Sequence, residues 1–209
     1  MSKTLPVAAY PDPTKDAARN GLKLDRSLKF MQESVQLIET CRVPVIAGVK
    51  GACFGGAVDL VAACDMAFSI KRTKFSIKEI DLAIVPDLGT INRLPITGSN
   101  WGLIKELSFT GRSFSAAEAK EIGLIAKIFE TEEEMNKHMV NLATVITQKS
   151  PATVIGVKKT LNFKRTQMVQ EGLDYVRTLN MSLLNNADLK ASVNHFLSKK
   201  RGLPQFPKL

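Results

Sequence analysis

Gly51-Ala52-Cys53-Phe54-Gly55-Gly56-Ala57-Val58-Asp59 decides how this chain is read. Just before it runs Val43-Pro44-Val45-Ile46-Ala47-Gly48-Val49, a short apolar run of the kind that forms a buried strand. The glycine pair ends a tight turn, and a short helix is predicted over 57–63. Glycine lets backbone approach a ligand closely. N–H groups at a helix start lack carbonyl partners and can hold developing negative charge. The segment therefore predicts an oxyanion site around Gly55 and Gly56, with the Asp59 carboxylate beside it.

Upstream, Leu24, Leu28, Met31, Val35 and Ile38 recur at spacings of three and four, which predicts an amphipathic helix over 21–42. Residues 1–20 hold Pro6, Pro11 and Pro13 and read as an extended arm. Downstream, strands are expected over 65–70 and 74–77, and 78–90 reads mainly as loop. A helix over 100–109 is broken by Gly111. Ser115-Ala116-Ala117-Glu118 is a capping-box pattern that opens a helix to Ile122, and a strand follows over 124–129. From 131 to 200 the pattern is helical, in segments of about 131–149, 151–163, 166–186 and 188–199, with Pro151 at a helix start. The chain divides into an arm (1–20), an α/β core (21–130), a helical C-terminal block (131–200) and a tail (201–209).

The 209 residues suffice for one sizeable domain, and 44% hydrophobic content is that of a globular chain. No apolar run approaches the ~18 residues of a membrane span. The N-terminus has no signal-peptide core. Cys41, Cys53 and Cys64 form no C-x-x-C pair, which argues for a reducing compartment and against zinc. The net charge of +9 admits nucleic acid, anionic lipid or a phosphorylated ligand. Two tyrosines and one tryptophan make poor stacking platforms, so nucleic acid is disfavoured.

Elimination narrows the chemistry. Only His138 and His195 exist, both in helical stretches far from the glycine turn, and both read as ordinary surface histidines. A Ser-His-Asp or Cys-His arrangement is disfavoured. The nucleophile-elbow, P-loop and dinucleotide glycine motifs are absent. Acid–base work then falls to carboxylates or lysines. Asp59 follows the glycine turn, Glu79 lies in Ile77-Lys78-Glu79-Ile80-Asp81, and Asp87 lies in Ile84-Val85-Pro86-Asp87-Leu88-Gly89-Thr90. An acid in an apolar loop is costly to bury, and such burial raises its pKa toward working pH. Each also has a plain alternative: Asp59 as a helix cap, Asp87 as a turn residue, Glu79 as an ion-pair partner. Asp65 and Asp81 read as structural.

Taken together, Pro44–Val49, Gly51–Gly56, Cys64-Asp65, Thr110-Gly111-Arg112, Ala116, Glu118-Ala119 and Gly123-Leu124 resemble the enoyl-CoA hydratase/isomerase (crotonase) superfamily in order and spacing. The resemblance runs from about residue 21 to 200. It implies a ββα-repeat spiral core and a helical C-terminal oligomerisation block. It also implies an acyl-CoA thioester substrate with no separate cofactor, and a homo-oligomer of three or six chains. Hydratases of the family place a glutamate at the position of Asp59, another at Glu79 and a small residue at Asp87. The set Asp59, Glu79 and Asp87 is instead similar to the dienoyl-CoA isomerase branch. That likeness implies a shift of a 3,5-dienoyl-CoA to the 2,4-dienoyl-CoA in fatty-acid β-oxidation. Glu79 and Asp87 would move protons, Asp59 would tune them, and Gly56 would supply one oxyanion N–H.

Family members carry a β-rich N-terminal half that supplies the second oxyanion N–H, and residues 1–20 do not resemble it. The expectation is a shortened member, active as an isomerase or acting only as an oligomer subunit, with hydratase as a further alternative. The terminal Pro207-Lys208-Leu209 resembles the S-K-L peroxisomal address, which predicts a peroxisomal home with a mitochondrial alternative.

Overall fold

The structure, a computed structural model, describes residues 14, 16–94, 99–184, 187–198 and 206. Most of the N-terminal arm, the Lys199-Lys200-Arg201 cluster and the Pro207-Lys208-Leu209 terminus lie outside the described residues.

The first helix, α1, runs Ala17–Thr40. It starts earlier than the hydrophobic spacing predicts because Asp16 caps it, its carboxylate accepting from the Arg19 N–H at 2.8 Å. Positions 17–20 are therefore helix, not extended arm. The glycine segment follows as β1 (Ile46–Val49), β2 (Ala52–Phe54) and α2 (Gly56–Ala63). The segment read as a turn thus contains a strand of its own. Next come β3 (Met66–Ile70), β4 (Lys74–Ser76) and a 3-10 turn over Glu79–Leu82. They lead into α3 (Thr90–Arg93) and α4 (Trp101–Thr110).

β5 (Phe114–Ser115) leads into α5 (Ala116–Glu121), whose capping box is complete. The Ser115 hydroxyl accepts from the Glu118 N–H, and the Glu118 carboxylate accepts from the Ser115 N–H. β6 (Lys127–Phe129) and α6 (Glu132–Thr147) follow. The two helices predicted over 151–163 and 166–186 are one helix, α7, running 33 residues from Pro151 to Leu183. No proline interrupts it, and its glycines, Gly156 and Gly172, do not break it. α8 (Ala187–Leu197) ends the described helices.

The strands form two sheets, β1-β3-β6, all parallel, and β2-β4-β5, in which β4 and β5 are antiparallel. Each ββα turn contributes one strand to each sheet, β1 and β2 before α2, then β3 and β4 before the 3-10 turn. This is the ββα-repeat spiral expected above. The main core lies between α2, α4, α5 and the sheets, around Phe75, Phe114, Leu107, Ile104 and Ile122, all essentially inaccessible to solvent. Phe75 and Phe114 stack there at 5.6 Å. α6 covers the first sheet through Met135, Met139 and Leu142. His138 packs against Phe68 and Phe129 at 5.0 and 5.1 Å, so it is half-buried among rings rather than an ordinary surface histidine.

Two buried ion pairs fasten the helices to this frame. Lys158 of α7 meets Asp65 at 2.7 Å and donates to the Val43 carbonyl, while Asp65 also accepts from the Val45 N–H. Asp65 is therefore structural, as expected. Glu39 of α1 meets Arg93 of α3 at 3.2 Å, both fully enclosed. Arg93 also donates to the Leu88 carbonyl, which pins the loop carrying Asp87. A side chain at Gly89, which has φ +114°, would run into that guanidinium, so glycine is required there on two counts.

Candidate active site

The turn between β2 and α2 is shaped by Gly55, at φ 55° and ψ −128°, a region open to glycine. Its N–H donates to the Ser76 carbonyl at 2.9 Å, so Gly55 supplies conformation and not an oxyanion donor. Gly56 is the first residue of α2, and its N–H belongs to the helix-start group that has no carbonyl one turn back. A Cβ on Gly56 would meet nothing within 4 Å, so the space beside it is open. A Cβ on Gly55 would stand 3.2 Å from Oε1 of Glu79, which places that carboxyl directly over the turn.

Asp59 lies one turn into α2 with 1% of its surface exposed. Its Oδ1 accepts from both the backbone N–H and the hydroxyl of Thr90, at 2.6 and 2.7 Å. Burial pushes its pKa up, while the two Thr90 bonds and the nearby Arg93 charge oppose the rise. Asp59 is thus fixed through one oxygen by Thr90, not a simple helix cap.

Glu79 opens the 3-10 turn. Its Oε2 is buried without a hydrogen-bond partner. Burial pushes its pKa up to about 7, helped by the negative charges of Asp59 and Asp87, with its own and the Lys78 backbone N–H groups acting the other way. Lys78 pairs with Asp81 instead, at 2.5 Å, which leaves Glu79 without a cation. Asp81 is structural, packed under Gly111, where a Cβ would collide with it.

Asp87 sits in the loop before α3. Burial raises its pKa to about 6, the Asn180 side-chain bond lowers it, and the Asp59 charge adds to the rise. Asn180 of α7 donates to Oδ2 of Asp87 at 2.8 Å, and Gln32 of α1 donates to the Asp87 carbonyl at 2.8 Å. The three carboxylates named from sequence therefore converge on one place: Glu79 feels the charges of Asp59 and Asp87, and Asp87 feels that of Asp59. Sequence reasoning missed the residues that hold them: Thr90, Asn180, Gln32 and Arg93. A cavity of about 140 Å³ beside Cys64, Asp65 and Arg165 lies away from the carboxylates and is lined by none of the three.

Carboxyls crowded into a poorly hydrated site transfer protons at working pH and weaken the fold when charged. The sign follows from Glu79. With a folded value near 7, above its ordinary value of 4.5, the folded chain holds an extra proton between those limits. Stability therefore falls as pH rises through that window. Glu79→Gln removes the penalty and is expected to stabilise the chain by about 3 kcal/mol at pH 8 and by little at pH 4.5. Urea unfolding at both pH values measures this, and equal effects at the two would refute the burial argument.

Residues 14–206 match the sequence profile of the enoyl-CoA hydratase/isomerase family. A peroxisomal Delta(3,5)-Delta(2,4)-dienoyl-CoA isomerase of Arabidopsis thaliana is 44% identical over 97% of this chain and 72% of its own length. The mitochondrial Delta(3,5)-Delta(2,4)-dienoyl-CoA isomerase of Mus musculus is 40% identical over 88% of this chain. The chain spans 57% of that mouse relative. Among solved structures, an enoyl-CoA hydratase from Mycobacterium avium matches at TM-score 0.77 and 22% identity, over 89% of this chain and 71% of its own, which is a likeness of fold. An enoyl-CoA hydratase from Bacillus halodurans matches at TM-score 0.74 and 25% identity, over 83% of this chain and 68% of its own. With its ββα spiral and carboxylate-lined glycine turn, the chain belongs to the enoyl-CoA hydratase/isomerase family.

Proposed function

We propose that this chain isomerises 3,5-dienoyl-CoA thioesters to 2,4-dienoyl-CoA in fatty-acid β-oxidation. The observation that carries the reading is Glu79 over the Gly55–Gly56 turn with Asp87 and Asp59 near enough to act on its charge, Glu79 being raised to about 7 and Asp87 to about 6. A proton shift across a conjugated system needs two exchanging groups of comparable acidity near working pH. The two named dienoyl-CoA isomerases described above support the same reading. Asp87 disfavours the hydratase alternative, because the family resemblance implies a small residue there in hydratases.

The thioester oxygen faces the Gly56 N–H. One carboxyl of the pair Glu79 and Asp87, in its ionised form, takes a proton from C2. The C–H electrons spread through the diene onto the oxygen as a dienolate, which the helix-start N–H stabilises. The other carboxyl of the pair, in its protonated form, delivers a proton to C6 as the electrons return, leaving double bonds at C2 and C4. One proton leaves and one arrives, so no redox partner is needed, and CoA enters only as part of the substrate. Asp59 takes no proton in this scheme. Its carboxylate, fixed by Thr90, keeps the other two acids weak enough to exchange.

The test is growth of the conjugated 2,4-dienoyl absorbance on adding a 3,5-dienoyl-CoA. The unsubstituted chain is expected to turn over with a bell-shaped pH dependence whose limbs lie near 6 and 7. Glu79→Gln and Asp87→Asn should each lose about two powers of ten or more in kcat while staying folded. Undiminished turnover in both variants would overturn the roles, and water addition to a 2-enoyl-CoA without isomerisation would favour the hydratase.

The assembly is proposed to be a homo-oligomer of three or six chains. Val157, Leu161, Met168 and Tyr175 are all exposed and recur at helical spacing along α7, an apolar stripe suited to a second copy. Sedimentation velocity should give a trimer or hexamer mass, and a monomer at micromolar concentration would count against it. The compartment is proposed to be the peroxisome, from Pro207-Lys208-Leu209, with the mitochondrion as the alternative. A fluorescent reporter fused ahead of residue 1 should reach peroxisomes and lose them once the last three residues are removed. Mitochondrial signal in both forms would support the alternative.

A further inference from the structure

Asp87 is gripped by two amides that do different things. The Gln32 amide, on α1, donates to the backbone carbonyl of Asp87 and to the Leu173 carbonyl, at 2.8 and 3.1 Å. It fixes the loop. The Asn180 amide, on α7, donates to Oδ2 of the Asp87 carboxyl at 2.8 Å and to the Val85 carbonyl at 3.1 Å. It fixes the acid itself. The Val85 contact decides which way round the Asn180 amide sits, since a flipped amide would bring two carbonyl oxygens together. Asn180 is therefore always a donor toward Asp87. It is fully buried, and its Oδ1 has no hydrogen-bond partner, so the arrangement leaves a polar atom unsatisfied in the core. Such an atom costs stability, which a purely structural position would avoid with an apolar residue.

We infer that Asn180 is a positioning residue for proton transfer: by donating to Oδ2 alone, it orients the Asp87 carboxyl and leaves Oδ1 as the oxygen that exchanges the proton. The inference rests on the isomerase reading for its role in turnover. No other side chain among the described residues donates to that carboxyl. Oδ1 is thus the oxygen available to a substrate carbon, and Oδ2 stays anchored in both protonation states. The Asn180 bond also favours the ionised form of Asp87, against burial and against the Asp59 charge.

The charged groups around Asp87 leave this bond as its main source of stabilisation. Asp59 on α2 and Glu79 on the 3-10 turn are both acids, and Arg93 on α3 lies toward Asp59. On α7, Arg177 is engaged by Asp174 at 2.9 Å and by Asp25 of α1 at 3.4 Å. On α8, which packs against the 3-10 turn, Asp188 is half-buried and Lys190 exposed. Gln32 is neutral.

The test compares Asn180→Leu with Gln32→Leu, reading the Asp87 carboxyl directly by carbon NMR titration and turnover by its pH profile. Loss of the Asn180 donor should raise the Asp87 titration midpoint by about one pH unit. The pH of maximum kcat, the mean of the two limbs, then rises by about half a unit. Gln32→Leu, which touches only backbone, should leave the Asp87 midpoint in place. Should Asn180→Leu not fold, Asn180→Ser, which keeps a shorter donor, should give a smaller upward shift. An unchanged Asp87 midpoint in the folded Asn180 variant, or an equal shift in Gln32→Leu, would overturn the inference. The isomerase reading fails separately: no turnover by the folded, unsubstituted chain would sink it while leaving the Asp87 titration readable.

Discussion

Three carboxylates share one poorly hydrated site with no cation in direct contact among the described residues, and the surrounding structure is arranged around that cost. Isolated buried anions are among the most expensive groups a protein can hold. Asp59 is kept by two bonds from Thr90 and the field of Arg93, Asp87 by one bond from Asn180, and Glu79 has an oxygen with no partner at all. The support falls off from Asp59 to Glu79. That gradient lets one acid remain a fixed element while the other two exchange protons. A site that gave all three full hydrogen-bond support would hold three permanent anions and move nothing.

The scaffold residues share a feature that a sequence pattern can reveal. On α1 the buried stripe is Asn20, Leu24, Leu28, Gln32, Val35 and Glu39, and on α7 it is Val169, Leu173, Val176 and Asn180. Gln32, Glu39 and Asn180 fall in phase with apolar neighbours, where a solvent-facing polar residue does not belong. Reading the stripe as Leu24, Leu28, Met31, Val35 and Ile38 found the helix and its face but passed over the polar positions within it. Those positions bond to Asp87 and Arg93, from 54 to 93 residues away in sequence. Helical phase marks them as unusual; only the fold says what they touch.

The local chemistry was more legible. The glycine turn, the capping box at Ser115 and the three acids follow from residue types at short range, where turn geometry and helix ends dominate. What local reading missed follows from non-local causes. β2 is three residues long, too short for a period to register, and exists because Ala52–Phe54 find Lys74–Ser76. Gly55 reads as a donor until Ser76 claims its N–H. The early start of α1 turns on the Asp16 cap rather than on any apolar residue.

The continuity of α7 has the largest functional consequence. Its apolar pattern slips near Lys164 and Arg165, which suggests two helices, yet nothing in that stretch stops a helix from propagating. As one rod, α7 carries Lys158 to Asp65 beside the first sheet and Asn180 to Asp87 at the active site, roughly 30 Å apart along its axis. Arg165, between them, donates to the Ala62 and Arg93 carbonyls, so the rod is also fastened at its middle, where α2 ends and α3 ends. A break after residue 163 would free the Asn180 half to rock, and the Asp87 carboxyl would lose its fixed orientation. An unbroken helix anchored at three points transmits the rigidity of the sheet to a single amide N–H. Proton transfer needs that, because the barrier is sensitive to the last few tenths of an ångström between acid and carbon.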